Sequence, residues 1–276
     1  MFDFMERLKR GAVLCDGAMG TELYARGGLC FDRCLDELNL SAPELVKAVH
    51  LDYIRAGAEI IETNTFGANR VRLAAHGLEN KVHEVNARAV AIAQEACHLS
   101  GQKIWIAGSV GPLGKPLAPL GIFSQAYARE IFREQIHALS EAGVSLIILE
   151  TFGSVKEITE AILAAREVCD LPMIAQMTFS EDGKTTFGDT PASVVTSLMT
   201  FGVEAVGANC SVGSHSMLGV MEEMGGVSEF PLTAQPNAGF PDLAGGRFVY
   251  RSSPQYMAEQ AKRMVEIGVS VVGGCC

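Results

Sequence analysis

Short apolar runs alternate with longer amphipathic stretches along the whole chain. The runs are "AVLC" (12–15), "EIIETN" (59–64), "IWIAGS" (104–109), "SLIILE" (145–150), "MIAQMT" (173–178), "AVGANC" (205–210), "LTAQ" (232–235) and "SVVGG" (270–274). Most are continuously apolar, the pattern of parallel strands covered on both faces. The stretches between them carry helix signals. "SAPE" (41–44) has the form of a capping box, and "DTPAS" (189–193) and "SSPQ" (252–255) pair a cap with an early proline. Gly57, Gly143, Gly202 and Gly268 stand between helix and strand, where a left-handed residue closes a helix. They precede every second run, so the repeat is a pair of strand–helix units. Eight such units predict a (βα)8 barrel, the TIM-barrel class of α/β fold. A doubly wound open sheet would show a Gly-x-Gly-x-x-Gly turn after its first strand, and "DGAMGTE" (16–22) does not fit that spacing.

The barrel pattern is short of one element. A complete barrel places an eighth helix over strands eight and one, and the 276-residue sequence reaches only its eighth run. The expectation is a single barrel domain over 1–276, truncated before the eighth helix and forming the N-terminal part of a longer chain.

Charge and cysteine content narrow the partners. A net charge of −10 argues against nucleic acid or an acidic membrane surface, since both select basic patches. No apolar run approaches the roughly 18 residues of a membrane span. The start, "MFDFMERLKRG", reads as a short amphipathic helix rather than a signal peptide. A cytoplasmic protein is therefore expected, and in a reducing compartment its eight cysteines are buried fillers or metal ligands. Cys97 and Cys169 fall in or at the ends of helical patterns and read as fillers, while Cys15, Cys30 and Cys34 are open either way. The six histidines show no paired ligand spacing and read as surface or satisfied structural residues.

In this fold the active site lies at the C-terminal ends of the strands. Those ends supply Asp16, Thr63, Asn64, Gly111, Glu150, Thr178, Cys210, Asn237 and the pair Cys275–Cys276. Three thiols on one rim match a catalytic zinc with three protein ligands and one open position. Neighbouring strand side chains point to opposite faces, so Gly273 and Gly274 are expected to free the backbone and let both thiols face one ion. Zinc held by three thiolates carries net negative charge and polarises a carbonyl poorly. It can still bind an incoming thiol and lower its pKa from about 8.5, which points to alkyl transfer to sulfur. The competing reading is three buried thiols, or a disulfide between two of them.

The segments "DGAMGTEL" (16–23), "ETNTFGAN" (62–69), "ILETF" (148–152), "GANCSVG" (207–213), "QPNAG" (235–239) and "GGCC" (273–276) resemble, in this order, the homocysteine S-methyltransferase family. The resemblance runs over essentially the whole chain. It implies transfer of a methyl group to the thiol of homocysteine, giving methionine, with Zn2+ held by Cys210, Cys275 and Cys276 and the zinc-bound thiolate as nucleophile. It implies that Asp16 and Glu150 hold the amino end of homocysteine, against a plain capping or salt-bridge role. Asn237 would take the open metal position before substrate arrives, against a simple turn role. The implied methyl donors are methylcobalamin, methylfolate or S-methylmethionine. "FDRCLDELNLS" (31–41) and "GGRFVYRSS" (245–253) look most like bacterial proteins in which this barrel is fused to a methylenetetrahydrofolate reductase. The cobalamin-dependent methionine synthases come next. Two alternatives stand beside this reading: a non-catalytic or truncated barrel that binds zinc or thiols, and a methyltransferase acting on another thiol or selenol.

Overall fold

The computed structural model describes residues 4–28, 33–239 and 252–276, together with the backbone of 241–244 and 247–250. Cys30 and parts of the 31–41 and 245–253 segments lie outside the described residues.

All eight apolar runs form strands of one barrel. In chain order they are β1 (Val13–Leu14), β2 (Ile60–Glu62), β3 (Trp105–Val110), β4 (Leu146–Phe152), β5 (Met173–Met177), β6 (Ala205–Gly213) and β7 (Leu232–Asn237). A two-stranded antiparallel hairpin, β8 (Pro241–Ala244) and β9 (Arg247–Tyr250), then precedes the last barrel strand, β10 (Val269–Val272). The barrel strands are parallel in the order β1-β10-β7-β6-β5-β4-β3-β2. Two hydrogen bonds close the ring between β1 and β2: Glu59 N–H to the Leu14 carbonyl at 2.8 Å and Asp16 N–H to the Ile60 carbonyl at 3.0 Å.

Helices fill the connections. A short α1 (Phe4–Leu8) leads in, and α2 (Gly20–Gly27), α3 (Leu38–Ser41) and α4 (Pro43–Arg55) join β1 to β2. Next come α5 (Arg70–Ala74) and α6 (Val82–Ser100), then α7 (Gln125–Ala142), α8 (Val155–Val168), α9 (Pro191–Leu198), α10 (Ser214–Gly225) and α11 (Pro254–Glu266). Thr190 and Ser253 cap α9 and α11 as their sequences predict, accepting from the Ser193 and Tyr256 N–H groups. The 41–44 box is different: Ser41 closes α3 and donates to Glu37, while Ala42 precedes α4 without any side-chain cap. Two helices separated by one residue leave Ser41 inside the first of them. Gly57, Gly143, Gly202 and Gly268 all adopt the left-handed conformation expected between helix and strand.

The core has two layers, and their placement decides where chemistry can occur. Val13, Ile60, Ala107, Leu146, Ile148, Ile174, Ala205 and Val271 pack inside the barrel, and Phe4 meets Trp105 edge-on at 5.9 Å beneath them. A second layer, including Phe132, Leu149, Phe152 and Ile162, joins the strands to the helices. Each such fully buried side chain contributes roughly 1.5–3 kcal/mol. The N-terminal end of the barrel is thus filled with carbon, and the polar residues gather at the other end. On the outer face of β1, Leu14 is 42% exposed, and among the described residues no helix follows β10 to cover it.

Candidate metal and substrate site

β6 supplies Cys210, and the segment after β10 supplies Cys275 and Cys276. Their sulfur atoms all lie within 4.8 Å of one another. The irregular backbone that accompanies this convergence is on β6. Cys210 and Ser211 are consecutive left-handed residues, at φ 59° and 60°, and the β6–β7 register shifts between Asn209 and Gly213. Such a conformation costs roughly 1–2 kcal/mol per non-glycine residue and persists only where neighbours enforce it. Here Asn209, buried midway along β6, accepts from the Thr151 N–H at 2.7 Å and donates to Glu150 at 3.1 Å. Ser211 and Thr178 share a hydroxyl hydrogen bond.

The expected release at Gly273–Gly274 is not what the backbone does. Neither glycine is left-handed, and the segment runs on in contact with both neighbouring strands. Gly273 N–H reaches the Ala234 carbonyl, Gly274 the Asp16 carbonyl and Cys275 the Pro236 carbonyl, at 2.9–3.0 Å. The requirement at Gly273 is space: a Cβ there would lie 2.7 Å from the Asp16 carbonyl oxygen and 2.9 Å from Cys15 Cβ. Crowding, not turning, selects glycine.

The three thiols behave as one group. Hydrogen bonds from Cys275 and Cys276 hold Cys210 as a thiolate, with its pKa pulled down to about 3, and the same contacts push Cys275 up. Asn237 is buried, hydrogen-bonds Cys210, and leaves its own Oδ1 without a partner. Three sulfurs at this spacing with an unsatisfied amide oxygen at hand suit a zinc ion with three protein ligands and an exchangeable fourth.

A second cluster faces them from β1, β2 and β4. Asp16 accepts the Glu62 N–H at 2.8 Å, and the Cys15 thiol lies between the two carboxylates at 3.5 and 3.6 Å. Glu62 accepts from Gln235, which Gln176 braces at 2.7 Å, and Glu150 accepts from Ser109 and Asn209. Burial raises the Asp16 pKa to about 8. Burial and the Asp16 charge raise Glu62 to about 7, and burial and the Glu62 charge push Glu150 well up. Carboxylates shift this way when desolvated beside like charges without a compensating cation. A cavity of about 560 Å³ joins the two clusters.

The other rim residues serve structure. Thr63 bonds Thr65, and Asn64 donates to the Leu35 carbonyl, so both spend their polar groups holding loops although they line the cavity. At Gly111 a Cβ would strike the Phe66 ring. Glu62, Ser109, Asn209 and Gln235 belong to the site and were not singled out from sequence. Their signal was a polar residue interrupting an apolar strand run, since such buried groups are nearly always partnered for a reason. His50 also departs from expectation: it is fully buried, neither ring nitrogen has a partner, and burial lowers its pKa to about 4. It shares the inward stripe of α4 with Val46, Val49 and Ile54. Cys97 and Cys169 are half-buried at helix positions, as expected of fillers, and Cys34 lines the cavity beside Asp36.

Comparison with known proteins agrees with this geometry. The family profile described as homocysteine S-methyltransferase matches residues 13–276. Methionine synthases of Mycobacterium tuberculosis and Mycobacterium leprae are 29% and 28% identical over 99% of this chain. The chain spans 24% of the length of each. Among solved structures, the metallated form of the Escherichia coli homocysteine methyltransferase MmuM matches with a TM-score of 0.81 and 26% identity, over 97% of this chain and 92% of that one. Its apo form matches with a TM-score of 0.74 and 25% identity over the same shares.

Proposed function

Since the chain belongs to the homocysteine S-methyltransferase family, we propose that it transfers a methyl group to the thiol of homocysteine, giving methionine. One observation carries the reading: a single cavity holds a sulfur cluster suited to zinc and a buried carboxylate cluster short of a cation. Homocysteine offers a thiol for the first and an ammonium for the second.

Cys210, Cys275 and Cys276 would hold Zn2+, which when bound keeps the substrate sulfur in its thiolate form at neutral pH. Asn237 hydrogen-bonds Cys210 and keeps its own Oδ1 unpartnered, so that oxygen would be available to a bound ion before the substrate thiol arrives. Asp16 and Glu150 receive the ammonium, with Glu62 completing the negative surface around it. Ser109 and Asn209 fix the Glu150 carboxylate, and Gln235 fixes Glu62, so the amino end is oriented before the methyl group arrives. In the transfer a sulfur–carbon bond forms as the bond from methyl to donor breaks, its electron pair leaving with the donor.

Methylcobalamin, methylfolate or S-methylmethionine is the donor class. The barrel acts as one domain beside a cobalamin or reductase module, which accords with its spanning a quarter of the methionine synthases. No helix among the described residues is long and apolar enough to cross a membrane, and a cytoplasmic setting would keep the thiols reduced. The test is Cys210→Ala: stoichiometric zinc and methionine formation should disappear together. Full activity in the metal-free variant would overturn the mechanism.

A further inference from the structure

The Glu150 carboxylate takes its hydrogen bonds from Ser109 and Asn209, and what holds Ser109 is unusual for a strand residue. Backbone pairing of β2 with β3 ends where the Thr63 N–H meets the Ala107 carbonyl at 2.9 Å. It resumes where the Gly111 N–H meets the Phe66 carbonyl at 3.1 Å. Ser109 lies in the gap between. Both of its backbone groups meet side chains there: its N–H donates to Thr63 Oγ1 at 3.2 Å, and its carbonyl accepts from Thr65 Oγ1 at 2.7 Å. Two threonine hydroxyls stand where a neighbouring strand would be.

The two hydroxyls also meet each other, at 2.7 Å. A hydroxyl has one proton to give, and that of Thr65 goes to the Ser109 carbonyl, so Thr63 is the donor between them. The three bonds run in one direction around a closed ring, from the Ser109 N–H to Thr63, from Thr63 to Thr65, and from Thr65 back to the Ser109 carbonyl. Bonds linked in this way strengthen one another in a buried setting, and all three residues are buried. Gln135 of α7, fully buried, anchors the ring from outside the barrel: its Nε2 donates to the Thr65 carbonyl at 2.7 Å. Both threonine protons are spent within the ring, so neither is left for a ligand. Thr63 and Thr65 thus hold more than their own loop. They fix the strand position from which the Ser109 hydroxyl reaches Glu150.

We propose that Thr63 and Thr65 are positioning residues for the ammonium group of the substrate, acting through Ser109 on the Glu150 carboxylate. The inference rests on the homocysteine reading of the site.

The experiment measures binding to reduced, zinc-loaded protein by titration calorimetry. The probes are homocysteine and 4-mercaptobutanoate, which is homocysteine without its amino group. Thr65→Val keeps the side-chain shape and opens the ring. Thr63→Val opens it on another side, so one variant suffices if the other fails to fold. Each should weaken homocysteine about fivefold, the scale of one net hydrogen bond, and leave 4-mercaptobutanoate unchanged. Ser109→Ala should weaken homocysteine about tenfold, because it removes a bond to a charged group. Adding Thr65→Val to Ser109→Ala should cost nothing further, since residues that act through one another are not additive. Thr65→Ser, which keeps the hydroxyl, should bind homocysteine nearly as well as the unsubstituted protein. Equal weakening of both ligands by Thr65→Val would show general loosening and overturn the proposal. So would a loss that adds fully to that of Ser109→Ala, or a Thr65→Ser variant as poor as Thr65→Val. Failure of homocysteine to bind the unsubstituted protein would instead refute the reading of the site.

Discussion

The sulfur cluster and the carboxylate cluster share one rim but are maintained by different balances of backbone and side chain. The sulfur side rests on backbone irregularity: two consecutive left-handed residues at Cys210–Ser211 and a register shift in β6. Its polar groups are turned on one another. The carboxylate side has one such break, Thr151 at φ 61° after Glu150 with a β4–β5 register shift between Leu149 and Phe152, but it is tied down chiefly by side chains from other strands, Ser109, Asn209 and Gln235. Each cluster lacks something different. The thiols share a negative charge that a metal would take up, and the carboxylates are held partly protonated for want of a cation. Asn209 bridges them, donating to both Glu150 and Cys275. A molecule bearing sulfur and ammonium completes both at once.

Separate substitutions should therefore separate the clusters. The largest effect is expected from Cys210→Ala, with zinc affinity falling by more than about 100-fold, because outer partners alone are worth roughly 10–100-fold. Elemental analysis after dialysis reads it directly. Glu150→Gln should leave zinc content intact and weaken homocysteine about 30-fold, the scale of a buried charge partner at roughly 2 kcal/mol or more. Calorimetry with homocysteine checks this, and loss of zinc in that variant would show that the clusters are not independent.

Two smaller effects sharpen the physical picture. Gly273→Ala should lower stability by about 1–3 kcal/mol, since the added methyl meets a backbone oxygen and a packed Cβ. Denaturant unfolding of the two proteins measures it, and no change would mean that the segment before the cysteines can shift freely. His50 should make stability pH-dependent away from the site. Its folded pKa of about 4 lies below the unfolded value of about 6.5. The unfolded chain binds the extra proton between these values, so stability falls as the pH drops through that window. The loss should reach about 2 kcal/mol by pH 5. His50→Leu should remove that component, and an unchanged pH profile would contradict it.

The same contrast marks what the sequence could tell. Strand–helix alternation and the helix-closing glycines carried the barrel, because periodicity reports burial and burial built the fold. The cysteines were legible because thiols at strand ends have few uses. Glu62, Asn209 and Gln235 were harder to see, since nothing local says that a polar residue in an apolar run will meet another from a distant strand. The Gly273 role was misread for a related reason: a glycine chosen for freedom and one chosen for space look alike until the neighbouring strand is in place.

Zinc-edge X-ray absorption on reduced protein, with and without homocysteine, reads the sulfur site and its open position at once. One zinc per chain with three sulfur neighbours is expected, rising to four when homocysteine is added. Absence of stoichiometric zinc, or a sulfur count that homocysteine does not change, would contradict it.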